Sequence, residues 1–321
     1  MGRLRRRTRP LRHAVALVLL QGLAAVLRAL PLSWALALGA GAGRALGLLA
    51  RRDRARMATA LALSLPDPPS VGACFADLGR RVAAWVNAAR VLPTWRVSAE
   101  ALATWEAARA EGRGVLVATA HLGNWELLGG ALAAAGVPVV AVGARSQGGP
   151  LYRWLARERA ALGLVVLGPG GGGQEARRRL QAGETVAFFV DQATRERART
   201  VEFFGRPAPV PLTLERLQAA TGAPVLFVWS APDASGTTVH AARLPDHRPL
   251  DAATARLEAL IRAAPTRWVW LHDRWAPVVG SARAPHPPPV AAAGRAPHRD
   301  AGHPGGAPGA GPGDGAGHVQ R

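Results

Sequence analysis

The chain has 321 residues with 40 basic and 21 acidic side chains, a formal net charge of +19 at pH 7, and no lysine, so every one of those basic residues is an arginine. A single cysteine excludes an intrachain disulfide, and a hydrophobic content of 49% excludes a chain too polar to bury a core. Excess arginine attracts nucleic acid, anionic lipid and acidic proteins alike, and a GC-rich genome produces the same Ala, Gly, Pro and Arg bias, so the charge alone names no partner.

Arg3, Arg5, Arg6, Arg7, Arg9 and Arg12 precede an apolar run from Ala14 to Leu27. Arg28 and Pro31 follow, then a second apolar segment from Leu32 to Ala50, closed by Arg51, Arg52, Arg54 and Arg56. At about 1.5 Å per residue the first run covers about 21 Å, short of a hydrocarbon core of about 30 Å by itself, with a tilted span reaching past Arg28 as the alternative. Basic clusters on both flanks conflict with a single crossing under the positive-inside rule. They favour a helical hairpin or two interfacial helices with both flanks cytoplasmic. A basic start, an apolar run and Ala35-Leu36-Ala37 also fit a cleaved secretory signal, the competing reading. Residues 1–56 are thus set apart as a basic, membrane-associating region.

Residues 57–112 read as helical, interrupted at Pro66-Asp-Pro-Pro69, with Trp85, Val86, Val91, Trp95 and Trp105 available to pack or to line a lipid groove. From 113 to about 280, strands and helices alternate. Strands are predicted at 115–120, 137–142, 163–167, 185–190, 224–230 and 238–242, and helices at 125–135, 151–162, 174–181, 212–221 and 252–263. That alternation predicts an α/β fold with a mixed or mostly parallel sheet flanked by helices, which together with the helical stretch gives one region over 57–280. From Ser281 to Arg321 the chain is rich in Pro, Gly, Ala, His and Arg with few bulky apolar residues, and is expected to be a disordered tail.

Val115-Leu-Val-Ala-Thr-Ala120 is a short apolar run bounded by Gly112 and Gly114, and it delivers His121 to a strand's carboxyl end. Asn124 is a good helix N-cap and Glu126 falls in the first helical turn, where negative charge is favoured. Ligands of open α/β sheets collect outside the carboxyl ends of the strands, so this turn is where a catalytic group belongs. An imidazole supplies a base that works near neutral pH, and a carboxylate on its other nitrogen fixes the tautomer. Backbone N–H groups of the Gly123-Asn124 turn are candidates to receive an oxyanion. The pair lacks the HExxH spacing of a zinc site, and no G-x-S-x-G elbow offers a serine nucleophile.

Arg145 emerges after the predicted strand 137–142 and Arg159 lies in the helical pattern 151–162; a guanidinium binds phosphate in two-point fashion. Asp191 ends the strand 185–190 and is expected to orient an arginine or a polar acceptor group, or to serve as a structural ion-pair partner. Arg145, Arg159, Asp191 and Asn124 are therefore the expected substrate-binding set. Gly168-Pro-Gly-Gly-Gly-Gly-Gln174 lacks the Lys-Ser/Thr ending of a P-loop and reads as a flexible connection. His272, inside Trp268-Val-Trp-Leu-His-Asp-Arg-Trp275, reads mainly as a packing residue.

Taken together, His121-Leu-Gly-Asn-Trp-Glu126, Arg145, Arg159-Ala-Ala-Leu-Gly163, Phe189-Val-Asp-Gln192, Phe203-Phe-Gly205, Thr221-Gly-Ala-Pro224 and Trp268 to Trp275 resemble the bacterial lipid A biosynthesis acyltransferase family, over roughly residues 12 to 276. The family belongs to the wider lysophospholipid acyltransferase group. The resemblance implies a glycerolipid acyltransferase-like fold. It also implies transfer of a fatty acyl chain from an acyl carrier protein thioester, or acyl-CoA, to a hydroxyl of a lipid A precursor or related membrane glycolipid. In that picture His121 takes the hydroxyl proton and Glu126 orients it. Attachment to the inner membrane with a cytoplasmic catalytic face is implied as well, and no metal, cofactor or nucleic acid is expected. Two alternatives keep part of these features. An acyltransferase acting on a mannosylated inositol lipid would retain the dyad and change the acceptor. A non-catalytic basic protein binding membrane or nucleic acid would use the arginine-rich ends without needing His121.

Overall fold

Among the described residues, five parallel strands run from the middle of a seven-stranded sheet to one of its edges, in the overall order β1-β9-β8-β2-β5-β3-β4. A computed structural model describes residues 9–143, 149–167, 172–192 and 198–275. Arg145, most of the Gly168–Gln174 connection and the tail expected at 281–321 lie outside the described residues. All the described residues fall within one compact unit, Met1–Ala282.

The strands are β1 (Trp95–Val97), β2 (Val115–Thr119), β3 (Val139–Val142), β4 (Val165–Leu167), β5 (Thr185–Phe189), β8 (Val225–Asp233) and β9 (Gly236–Arg243). β8 and β9 are an antiparallel hairpin and β1 runs parallel to β9, so these two reversed strands close one edge of the sheet. Every residue of β2 is buried. Alternate side chains along it serve opposite layers: Leu116 and Ala118 pack with Phe75, Leu180, Leu214 and Leu257 on one face, and Val115 and Val117 with Trp105, Leu128 and Leu132 on the other. The period-2 alternation of strand side chains thus places helices on both faces. A separate antiparallel hairpin, β6 (Ala198–Phe203) and β7 (Arg206–Pro211), lies outside the main sheet. Neither it nor β1, which breaks the helical reading of 57–112, was expected from the sequence.

Helices α1 (Arg9–Ala29), α2 (Leu32–Leu49) and α3 (Arg51–Ser64) precede α4 (Val71–Val86), the short α5 (Ala88–Val91) and α6 (Ala99–Ala110). Within the α/β region lie α7 (Trp125–Ala134), α8 (Pro150–Ala161), α9 (Gly172–Gln181), α10 (Thr213–Thr221) and α11 (Pro249–Ala263). α3 crosses residue 56 without a break, and the proline cluster at 66–69 separates it from α4.

α2 is long and apolar enough to cross a membrane. Its glycines, however, seat it on α4. A Cβ on Gly43 would stand 2.1 Å from the Phe75 carbonyl oxygen, and one on Gly39 2.5 Å from the Ala83 Cβ. Gly79 of α4 meets the Gly39 carbonyl in the same way. The opposite side of α2 leaves Trp34, Leu38, Leu48 and Leu49 exposed.

Candidate active site

Parallel pairing of β2 with β5 continues from Thr119 opposite Phe189, so the residues two places beyond each strand end, His121 and Asp191, arrive side by side. The Val190 N–H donates to the Thr119 carbonyl at 2.9 Å and carries the pairing past the strand ends. Asp191 Oδ1 stands 2.8 Å from His121 Nδ1, and its Oδ2 accepts from the His121 backbone N–H at 2.7 Å and from Trp268 Nε1 at 2.8 Å. The Asp191 side chain is fully buried, and His121 retains 13% of its side-chain exposure. Burial pushes the Asp191 carboxyl up. The adjacent His121 and the hydrogen bonds from His121 and Trp268 outweigh that and leave it below the ordinary carboxylate value. A carboxylate can only accept, so it fixes the proton of a neutral His121 on Nδ1 and leaves Nε2 as the basic nitrogen.

The imidazole is walled on several sides. Phe189 stacks on it at a centroid distance of 4.2 Å, and Trp125 and His272 meet it edge-on at 5.0 Å. Gln192 Nε2 lies 3.0 Å from His121 Nε2 and 3.5 Å from His272 Nε2. Burial, reinforced by the neighbouring His121, holds His272 below the usual imidazole value, against an upward pull from Asp191. His272 is therefore a member of the cluster as well as a packing residue. Its place beside His121 could not be read from chain order, because the Leu122–Trp268 bridge that brings the aromatic segment to the site joins distant parts of the sequence.

The turn that carries His121 is fastened at several points. Gly123, at φ +61°, donates its N–H to the Arg267 carbonyl at 2.9 Å, and Val269 N–H donates to the His121 carbonyl at 3.1 Å. A Cβ at Gly123 would meet the Arg267 guanidinium at 2.8 Å, so the close approach depends on glycine as much as the positive φ does. Arg81 of α4 donates through Nη1 to the Gly123 carbonyl at 2.7 Å, and Asn124 Nδ2 returns a hydrogen bond to the Arg81 carbonyl at 2.9 Å. Burial lowers the pKa of both Arg81 and Arg267. Two sequence expectations change here. The Gly123 N–H is committed to Arg267 and is not a free oxyanion donor. The Asn124 carboxamide caps α7 through the Leu127 N–H at 3.4 Å and binds Arg81, so in this structure it serves the turn.

Glu126 sits elsewhere from its expected partner. Its carboxylate takes a two-point contact from Arg159, with Nη2 to Oε1 at 2.6 Å and Nε to Oε2 at 3.0 Å. Among the described residues no hydrogen bond joins Glu126 to His121, and the carboxylate on the imidazole is that of Asp191. The physical reason is direction. Glu126 lies one helical turn from Gly130 and two from Ala134, and this side of α7 lines, with Trp85, Leu92 and Leu162, a cleft of about 430 Å³ that also touches α8. Arg159 stands on α8, and its hydrogen bonds to Glu126 raise its pKa against the effect of burial. The structure therefore brings together His121 with Asp191, and Glu126 with Arg159, as two separate pairs. Among the described residues no group of three or more His, Cys, Asp or Glu side chains is arranged to hold a metal ion.

The Nδ1-anchored imidazole is a general base in form, with a buried acid behind it and a basic nitrogen directed away from that acid. A known family shares this sequence. Residues 4–276 match the profile described as "Bacterial lipid A biosynthesis acyltransferase". Among curated proteins, the chain is similar to the phosphatidylinositol mannoside acyltransferase of Mycobacterium tuberculosis (strain ATCC 25618 / H37Rv), 28% identical over 187 residues, 53% of this chain and 57% of that protein. It is similar also to the phosphatidylinositol mannoside acyltransferase of Mycolicibacterium smegmatis (strain ATCC 700084 / mc(2)155), 28% identical over 174 residues, 51% of this chain and 57% of that protein. The matched part of the chain thus spans little more than half the length of these relatives. The profile match runs from ahead of α1 to the end of the aromatic segment holding His272, and on that extent the chain belongs to the bacterial lipid A biosynthesis acyltransferase family.

Proposed function

We propose that this protein transfers a fatty acyl chain from a thioester donor to a hydroxyl of a membrane glycolipid, with His121 as general base and Asp191 as the acid that orients it. The observation that carries the reading is the 2.8 Å contact between His121 Nδ1 and the buried Asp191 carboxylate at the carboxyl edge of the sheet. His121 Nε2 takes the acceptor's hydroxyl proton as the oxygen attacks the thioester carbonyl carbon. The tetrahedral adduct then collapses, the carbon–sulfur bond breaks, and the imidazolium returns the proton to the departing thiolate. Asp191 stabilises the transient imidazolium without taking its proton. The reading needs no acyl-enzyme, in keeping with the lack of a G-x-S-x-G elbow in the sequence.

The acceptor is a lipid A precursor or a mannosylated inositol lipid. The family description supports the first and the named relatives support the second. The donor is an acyl carrier protein thioester or acyl-CoA. Arg159 keeps Nη1 outside its contact with Glu126 and is a candidate to meet a donor or acceptor phosphate, with Arg145 as its proposed companion. We assign the protein to the cytoplasmic side of the inner membrane, held there by α1 and α2.

The test is transfer of a radiolabelled palmitoyl group from palmitoyl-acyl carrier protein and from palmitoyl-CoA to lipid A precursor and to phosphatidylinositol mannoside. Mass spectrometry of cellular glycolipids with and without the protein complements it. One acceptor gaining an acyl increment, abolished in His121→Ala, supports the reading. Full transfer by a folded His121→Ala variant, or no transfer to either acceptor by the wild type, defeats it.

A further inference from the structure

The base of the proposed reaction is not left open to solvent. Phe189, Trp125 and His272 pack against the His121 ring and Asp191 occupies Nδ1, so Nε2 is the edge at which an attacking hydroxyl must arrive. That edge is occupied by the Gln192 carboxamide at 3.0 Å.

The orientation of this amide follows from chemistry. Asp191 requires the proton of neutral His121 on Nδ1, which leaves a lone pair on Nε2, and a lone pair accepts from the NH₂ end of an amide and not from its oxygen. The same nitrogen lies 3.5 Å from His272 Nε2, within reach of its second N–H. One amide nitrogen thus stands between two imidazoles.

We propose that Gln192 is a placeholder, its carboxamide taking the acceptor hydroxyl's position on His121 Nε2 in the acceptor-free enzyme and so keeping water from using the base to hydrolyse the bound thioester. The proposal rests on the acyl-transfer reading and adds to it a means of choosing acceptor over water. Water bound at Nε2 would give up a proton to the imidazole while its oxygen attacked the thioester carbonyl carbon. Rupture of the carbon–sulfur bond and return of the proton to the thiolate would then release free fatty acid and thiol. An incoming glycolipid hydroxyl, brought by the binding of the rest of its lipid, displaces the amide. Free water has no such remote binding to draw on.

The experiment measures release of free palmitate from palmitoyl-CoA and from palmitoyl-acyl carrier protein, without acceptor, by wild type, Gln192→Ala, Gln192→Asn and Gln192→Ala/His121→Ala. Gln192→Asn keeps an amide but is one methylene too short to reach Nε2, and guards against a fold lost through the smaller side chain. Acceptor-free hydrolysis is expected to rise about tenfold in both single variants, the effect of removing one hydrogen bond that competes with water. The rise is expected to vanish when His121 is also replaced. A merely structural role for Gln192 would lower hydrolysis and transfer together.

Hydrolysis at or below the wild-type rate in both folded single variants overturns the proposal, as does a rise that persists without His121. A wild type that transfers to no glycolipid would instead defeat the acyl-transfer reading, and the two failures are told apart because hydrolysis is measured without acceptor.

Discussion

Asp191 is near His121 in the fold and Glu126 only in the sequence, and burial and partner give the two carboxylates different work. Asp191 is wholly buried and bound to the imidazole, whereas Glu126 holds a guanidinium on a neighbouring helix. Asp191→Asn is therefore expected to lower kcat for acyl transfer by about 100 to 10,000-fold, the range for loss of general-base function, because an amide neither fixes the tautomer nor stabilises the imidazolium. Glu126→Gln is expected to act more on KM and on stability, since it unpairs Arg159. Steady-state kinetics on the two variants check this, and a larger kcat loss in Glu126→Gln would return the orienting role to Glu126. The same carboxyl shapes acid stability. Because the folded pKa of Asp191 is depressed, its contribution is fully present above the ordinary carboxylate value and is lost as pH falls through the folded value. Unfolding measured as pH falls below the ordinary carboxylate value, from about pH 5 to about pH 2, should show a shallower acid loss in Asp191→Asn than in the wild type.

Helix α4 holds two parts of the molecule at once. Gly79 and Ala83 receive α2, and Arg81 ties down the Gly123 turn. Gly43→Ala would drive a methyl into the Phe75 carbonyl and should destabilise by about 1–3 kcal/mol through overpacking. Gly41→Ala, two residues away with open space around it, should stabilise by about 0.5–1 kcal/mol as an ordinary helical substitution. Chemical denaturation of both variants measures the contrast, and equal effects would mean that α2 does not sit on α4. Such long-range contacts explain what the sequence could and could not reveal. β2, β5 and α7 were legible because apolar runs and an Asn N-cap are local signals. The neighbour relation between β2 and β5, which pairs His121 with Asp191, is a property of sheet order that no local pattern encodes. Asp191 and Gln192 were visible as a strand-end motif, but not as the two partners of the His121 ring. The β6–β7 hairpin was hidden by Pro207, Pro209 and Pro211, since proline within a run argues against a strand. Spaced at every second residue, they turn their missing donors away from β6, to the side where Arg274 donates to the Pro209 carbonyl, while the N–H groups of Ala208 and Val210 face β6.

The net charge of +19 acquires a direction once the first helices are placed. Trp34, at 69% exposure, and Leu49, at 80%, belong to the side of α2 that faces away from α4, and exposed Arg51, Arg52, Arg54 and Arg56 begin the next helix. A helix of 18 residues, at about 1.5 Å each, reaches about 27 Å, barely a bilayer core. To cross a bilayer, α2 would have to carry α4 with it, and α4 bears Asp77, Arg80 and Arg81. Burial of such charges in hydrocarbon is costly, so the docked geometry favours α2 lying in the interface with its apolar side in the lipid and the arginines at the headgroups. Each arginine near an anionic surface is worth about 1 kcal/mol, and that attraction is screened by salt. Full-length protein should therefore sediment with vesicles of phosphatidylglycerol and phosphatidylethanolamine far more than with phosphatidylcholine alone, and should be released in part by 1 M salt, the apolar contact holding the remainder. Trp34→Ser with Leu48→Ser should weaken binding to both vesicle types, because it removes the contribution that salt does not screen. Arg51→Gln with Arg52→Gln should weaken only the anionic component. Protein that withstands both high salt and alkaline carbonate, and yields only to detergent, would instead mean that α2 leaves α4 and spans the bilayer.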